Sequence, residues 1–279
     1  MLGLGLGTNR SNRKGNIIDP DVQAFVEANS ITNTQEIMAL SSAVTSLKGS
    51  NSLSYNFWGD TVYANFISPT GLTQAKEAIK VFSGESTTAS EIGASPAHSS
   101  DGVLFNGSSN AFNLGNTTGN INREDLAVVL AFSNNATVNG TSYGKVIDNG
   151  DSTPGNWERT QCYRQNNSGI MGFLYGTTTG ISDRIGVWNF GNDGTNHAIW
   201  HDGVKLALTT TPIVNGIATG ADDDFLGARN GDASGIAGAF RFQDDRVTTV
   251  LTFNMTTLYT DTHHEILAQI VNTYNTDVV

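Results

Sequence analysis

Gly140-Thr-Ser142-Tyr-Gly144 has the letters of a nucleophile elbow, the turn that exposes a strained serine for acyl transfer. That device needs a strand before it and a helix after it. Here an Asn-rich stretch precedes it and Lys145-Val-Ile-Asp148 reads as a strand, so catalysis by Ser142 is not expected. Asp222, Asp223 and Asp224, with Asn230 and Asp232, offer the hard oxygen ligands that calcium takes. Their spacing matches no calcium loop, and acidic turn clusters are ordinarily just solvated, so neither a metal nor a cofactor is expected. His197 and His201 lie four apart in a segment that reads as strand, where a helical zinc pair does not form. His263 and His264 open a helix and are expected to be exposed. A bound glycan would use aromatic rings together with Asn and Asp groups on rim loops. Trp157, Trp188 and Trp200 are available, but each sits inside a predicted strand and is expected in the core.

Composition narrows the classes. In 279 residues only 15% are charged, and 31 glycines accompany abundant Asn, Ser and Thr, a mix that favours short strands and many turns. Residues 1–18 hold Arg10, Arg13 and Lys14 and no acid, so the rest carries −14 of a total of −11. An acidic body lacks the basic stripe that nucleic-acid binding needs. Cys162 is the single cysteine, which excludes an intrachain disulfide and a multi-cysteine metal site. No apolar run approaches the roughly 18 residues of a membrane helix, and Met1 to Gly7 does not read as a signal peptide.

The elements that would position these residues follow from pattern. Residues 1–18 alternate Gly with Leu2, Leu4 and Leu6 and then turn basic, which predicts an arm that orders only against another surface. Asp19-Pro20 starts a helix to about Ala28. A second helix follows Thr32, with Gln35 completing a capping box. On it Ile37, Leu40, Val44 and Leu47 form one apolar stripe that must lie on a domain or a partner. Phe57, Trp58, Tyr63, Phe66 and Ile67 read as a core cluster anchoring these helices, and 83–100 as a loop. About a dozen short strands follow between Val103 and Phe253, separated by Asn-Gly and Asp-Gly pairs. The strongest of these signals is Asp202-Gly203, between Ala198–His201 and Val204–Ala207, which predicts a type I′ hairpin. Beyond Asp261 the period switches to 3.6, placing Ile266, Ile270 and Tyr274 on one face of a closing helix.

Asp101-Gly-Val-Leu-Phe-Asn-Gly-Ser-Ser-Asn110, Ile199-Trp-His-Asp-Gly-Val-Lys205, Leu226-Gly-Ala-Arg-Asn-Gly231 and Val250-Leu-Thr-Phe-Asn254 together resemble concanavalin A-like, laminin-G-type jelly rolls. The stretch Gln23 to Leu40, continuing to Leu47-Lys48, is similar to the helical leader of certain tailed-bacteriophage virion proteins. The first resemblance implies a mainly β, concanavalin A-like jelly-roll sandwich with an N-terminal arm, a helical leader and a closing C-terminal helix. That architecture is shared with glycoside hydrolases, whose chemistry needs two carboxylates roughly 5–9 Å apart. No Glu-x-Asp-x-x-Glu run occurs, and Glu158 and Asp244-Asp245 lack a partner at alternating spacing.

The expected organisation is therefore a docking arm (1–18), a helical leader and connector (19–100) and a jelly-roll domain (101–279). The expected function is a non-enzymatic structural component of a phage virion, such as a head decoration, fibre-base or tail-associated protein. Its partners would be other virion proteins and copies of itself, reached through the arm and the helical stripe, with no nucleic acid and no membrane. The alternative is a carbohydrate-binding module for host attachment to a surface glycan; a glycan depolymerase is a distant third.

Overall fold

The computed structural model describes residues 18–116, 121–134, 183–207, 223–228 and 244–278 (residue 123 by its backbone), and the backbone of the strands at 140–147, 158–165, 170–173, 176–178, 229–230 and 239–240. Helices α1 (Pro20–Ala28), α2 (Thr34–Leu47), α3 (Phe57–Asp60) and α4 (Leu72–Ala75) lie in the first part, and α5 (Asp261–Asp277) follows the last strand. The first strands are β1 (Thr61–Phe66), β2 (Ser90–Ile92), β3 (Ala97–Ser99), β4 (Gly102–Leu104), β5 (Ala111–Asn113) and β6 (Leu126–Phe132). Next come β7 (Gly140–Ile147), β8 (Glu158–Gln165), β9 (Ile170–Phe173), β10 (Gly176–Thr178), β11 (Gly186–Asn192) and β12 (His197–His201). The last are β13 (Val204–Lys205), β14 (Phe225–Leu226), β15 (Arg229–Asn230), β16 (Ala239–Phe240) and β17 (Arg246–Asn254).

Among the described residues these strands make two sheets. One runs β13-β12-β11-β6-β17-β4-β3, with β1 also paired to β17; the other runs β10-β9-β8-β7-β14-β5-β2, with β15 joining β7 and β16. Pairing is antiparallel except for one β15–β7 contact, so the fold is a mainly β sandwich, as expected. The hairpin at Asp202-Gly203 has φ of +48° and +82°, the two positive values of a type I′ turn.

Strand β6 explains the layering. Its run Leu126-Ala-Val-Val-Leu-Ala-Phe132 is buried at every position, which requires cover on both faces. Leu126, Val128, Leu130 and Phe132 pack with Phe105, Phe112, Leu114 and Leu226 in the core between the sheets. Ala127, Val129 and Ala131 face the other way and share a core with Leu40, Val44, Leu267 and Val271 of the helices. The order is helices, sheet, sheet.

Several expectations shift. The cap of α2 is Asn33, whose Oδ1 accepts from Gln35 N at 3.0 Å and Glu36 N at 3.3 Å, in place of Thr32. Asp19 caps α1 as predicted, accepting from Asp21 N at 2.9 Å. The stretch 83–100 is not all loop, since β2 and β3 pair there with β5 and β4. Residues before 101 therefore contribute strands to both sheets, and β1 lies beside the long β17. The aromatic cluster is buried as expected: Phe57, Trp58, Tyr63, Phe66 and Ile67 all lie in the core. Asp60 ties it down by accepting from Tyr55 at 2.7 Å, Tyr259 at 3.0 Å and Thr256 at 2.8 Å.

The stripe on α2 is turned inward. Leu40, Val44 and Leu47 are buried and Ile37 is half-buried against the same cluster, so this face packs on the chain's own α5 and sheet and is not free for docking. Leu40→Ala should lower unfolding free energy by about 3 kcal/mol, as large-to-small changes in packed cores do. Urea denaturation reads this directly, and a loss below about 1 kcal/mol would contradict a packed stripe.

Candidate functional site

A cavity of about 350 Å³ opens where the ends of β4, β6 and β11 meet the last turns of α5. Phe132, Tyr274, Ile67 and Val278 back its floor, and Ile185 stands at the mouth, 45% exposed. Its polar rim is Ser100, Asp101, Ser133, Asn272 and Asn275.

Two glycines shape the mouth. Gly102 has φ +113° and Gly186 has φ +121°, values that side-chain-bearing residues rarely adopt. A Cβ on Gly102 would stand 2.3 Å from the Val247 carbonyl oxygen, and one on Gly186 would stand 2.7 Å from the Asp202 carboxylate. These close approaches set Asp101 and Ile185, their chain neighbours, at the opening. The backbone of Asp101 is pinned on both sides: its N–H donates to Ser99 Oγ at 3.2 Å and its carbonyl accepts from Ser133 Oγ at 2.6 Å. Its carboxylate is exposed, with Ser100 Oγ at 3.5 Å.

Residues of α5 complete the rim. Asn272 Nδ2 donates to Asp202 Oδ1 at 3.3 Å. Tyr274 donates its hydroxyl to the Ile67 carbonyl at 3.4 Å, and burial, helped by the charge of Glu36, pushes that hydroxyl far above its ordinary pKa. It stays a donor at any accessible pH. Asn275 Oδ1 is buried and has no hydrogen-bond partner among the described residues. An unsatisfied buried acceptor of this kind costs roughly 1–3 kcal/mol. Among the described residues the lining holds one carboxylate and no histidine, cysteine or cation, so it offers a ligand hydrogen bonding and apolar contact.

The residues singled out from sequence lie elsewhere. Ser142 sits within β7, at the register shift between Thr141 and Tyr143, and the strand runs on to Ile147, so no elbow forms. Of the calcium candidates, Asp222, Asp232 and the side chain of Asn230 lie outside the described residues. Asp224 is buried, with its N–H donating to the Gly115 carbonyl at 2.8 Å, and Asp223 accepts from Asn113 at 2.7 Å. Among the described residues no three metal-ligating side chains gather. Leu2, Leu4, Leu6, Arg10, Arg13 and Lys14 lie outside the described residues, as do Trp157 and the side chains of Glu158 and Cys162.

Trp188 and Trp200 are core, as expected. His201 stacks on Trp188 with ring centroids 4.2 Å apart. His264 departs from expectation: it is fully buried, stacked on Trp200 at 3.6 Å, because its helix lies flat on the sheet at Gly191. Asp245, half of the acidic pair set aside for lacking a carboxylate partner at alternating spacing, is buried against Arg184 at 3.1 Å. The cavity residues Asp101, Asn272 and Asn275 were missed. The available signal was the Asp-Gly step at 101–102; nothing local marks the asparagines.

No protein-family model matches the chain, and no curated protein matches it in sequence. Among solved structures, a mutant of Trypanosoma rangeli sialidase displaying trans-sialidase activity is similar at 14% identity and TM-score 0.47, over 76% of this chain and 34% of the sialidase. Domain 4 of AbnA, an extracellular arabinanase from Geobacillus stearothermophilus in complex with arabinotriose, is similar at 13% identity and TM-score 0.42, over 75% of this chain and all of that domain. The chain thus spans about a third of the sialidase it matches. These similarities do not place the chain in a family, and these two show no link to a phage. The expectation of a non-enzymatic chain is withdrawn: the similar structures are a sialidase and an arabinanase domain, and at TM-scores below 0.5 the likeness assigns no activity here.

Proposed function

We propose that the chain is a carbohydrate-binding sandwich module whose sugar site is the cavity beside Asp101. The observation that carries this reading is the Asn275 carboxamide oxygen, on a residue that lines the cavity and with no donor among the described residues. A sugar hydroxyl supplies such a donor, and its ring carbons suit the apolar floor; convergent polar groups over apolar surface are how small-ligand pockets are built. The similarity of residues 23–48 to tailed-phage leaders supports a setting on a virion, with other virion proteins and copies of the chain as partners and attachment to a host surface as the use. Docking would then rest on surfaces other than the buried α2 stripe.

Asn275→Ala tests the reading. Removing an unsatisfied acceptor and adding a better helix former should raise stability by about 1 kcal/mol while abolishing glycan binding. Thermal denaturation and a glycan array on the full chain measure both. A destabilised variant, or a wild-type chain that binds no glycan, would remove the basis for the proposal.

A further inference from the structure

Resting on the carbohydrate reading, we infer that the cavity selects uncharged sugars and rejects acidic ones, and that Asp101 sets this preference. The lining is rich in acceptors. It includes the Asp101 carboxylate and Asn275, whose Oδ1 has no donor among the described residues, with the serine hydroxyls of Ser100 and Ser133 beside them. Ser133 already spends its proton on the Asp101 carbonyl, and Asn272 spends a donor on Asp202. A ligand that brings donors, such as a polyol, satisfies these groups; a ligand that brings a carboxylate does not.

Cations adjoin the lining, but they are engaged. Arg184, next to Ile185 in the chain, is 3% exposed and pairs with Asp245. Arg246 donates its guanidinium to Ser99 Oγ, and His201 Nε2 lies 2.9 Å from the Ile185 carbonyl oxygen. None of these groups lines the cavity. An acidic sugar would therefore place its charge near the exposed Asp101 carboxylate with no cation among the described lining residues, in a protein of net charge −11. Like charges a few ångströms apart at a protein surface repel strongly enough to cost about tenfold or more in affinity. Neutral sugars gain instead, because a hydroxyl donating to a carboxylate makes a charge-assisted hydrogen bond.

The test is calorimetric titration of the full chain with paired probes differing only in acidity: lactose against sialyllactose, and galactotriose against trigalacturonate. The neutral member of a bound pair should bind at least about tenfold tighter. Asp101→Asn keeps the backbone contacts of residue 101 and suits its turn, so the fold should hold, as an unchanged melting temperature would show. In that variant the neutral probe should weaken by about five- to tenfold and the acidic probe should gain, closing the gap. An acidic probe that binds tighter, or a ratio untouched by Asp101→Asn, overturns the inference while leaving the carbohydrate reading standing. Binding of none of the four probes, nor of any glycan on the array, overturns both.

Discussion

Asp245→Ala is expected to be the most damaging single substitution in the described structure, lowering unfolding free energy by about 3–5 kcal/mol. Asp245 is fully buried and Arg184 is 3% exposed, with Nη2 and Oδ1 3.1 Å apart. Water does not screen such a pair. Deleting the carboxylate leaves the guanidinium buried over Phe132, at 5.8 Å from the ring, deprived of this countercharge. The same two residues also hold backbone: the Arg184 carbonyl accepts from Trp188 Nε1 at 2.8 Å, and the Asp245 carbonyl accepts from Phe105 N at 3.0 Å. Replacing both partners, Arg184→Met with Asp245→Leu, should recover most of the loss, because well-packed apolar residues often match a buried ion pair. Chemical denaturation of the two single variants and the double variant forms the cycle. Equal loss in the single and the double variant would show that the charges themselves are unimportant.

The second large effect is acid destabilisation through His264. Burial, with the charges of His263 and Lys205 adding to it, holds the imidazole pKa down to about 3. Neither ring nitrogen has a hydrogen-bond partner among the described residues, so the neutral ring is the form that fits. In the unfolded chain the same histidine takes up a proton near pH 6.5. The folded pKa lies below the unfolded one, so the unfolded state binds more protons across the interval between them. Stability from this group is complete above about pH 6.5 and falls as pH drops toward 3, by about 1.4 kcal/mol for each pH unit and about 5 kcal/mol in full. His264→Phe keeps a flat ring on Trp200 and removes the titration. Unfolding free energies measured from pH 7 to pH 4 should diverge, with the wild type falling faster than the variant. Parallel curves would assign the acid sensitivity to other groups.

The burial of His264 was not legible in advance. Two adjacent histidines at a helix start read as solvated, and only the seating of α5 on Gly191 and Trp200 buries the second. Other features were local enough to read. Asp202-Gly203 carries its turn in the backbone preferences of two residues, and the alternation around it specifies a hairpin wherever it lies. The spacing of Leu40, Val44 and Leu47 likewise specifies one face of a helix. Even the two-sided cover of the first sheet was written in the unbroken apolar run of β6, although that run was read only as a strand.

What the sequence determined by itself is therefore the class: short antiparallel strands, turns of known hand, and helices with a single apolar face, all set by interactions among near neighbours in the chain. The tertiary structure decided which surface each face meets, and with it the site. The α2 stripe proved to be interior because α5 and the sheet supply its cover. Arg184 and Asp245, 61 residues apart, became partners because β11 and β17 flank the same strand, β6. The cavity joins Asp101, beside β4, to Asn275, near the end of α5, and no pattern along the chain couples them. Periodicity reports which way a side chain points from its own element; what lies opposite is set by how the layers pack.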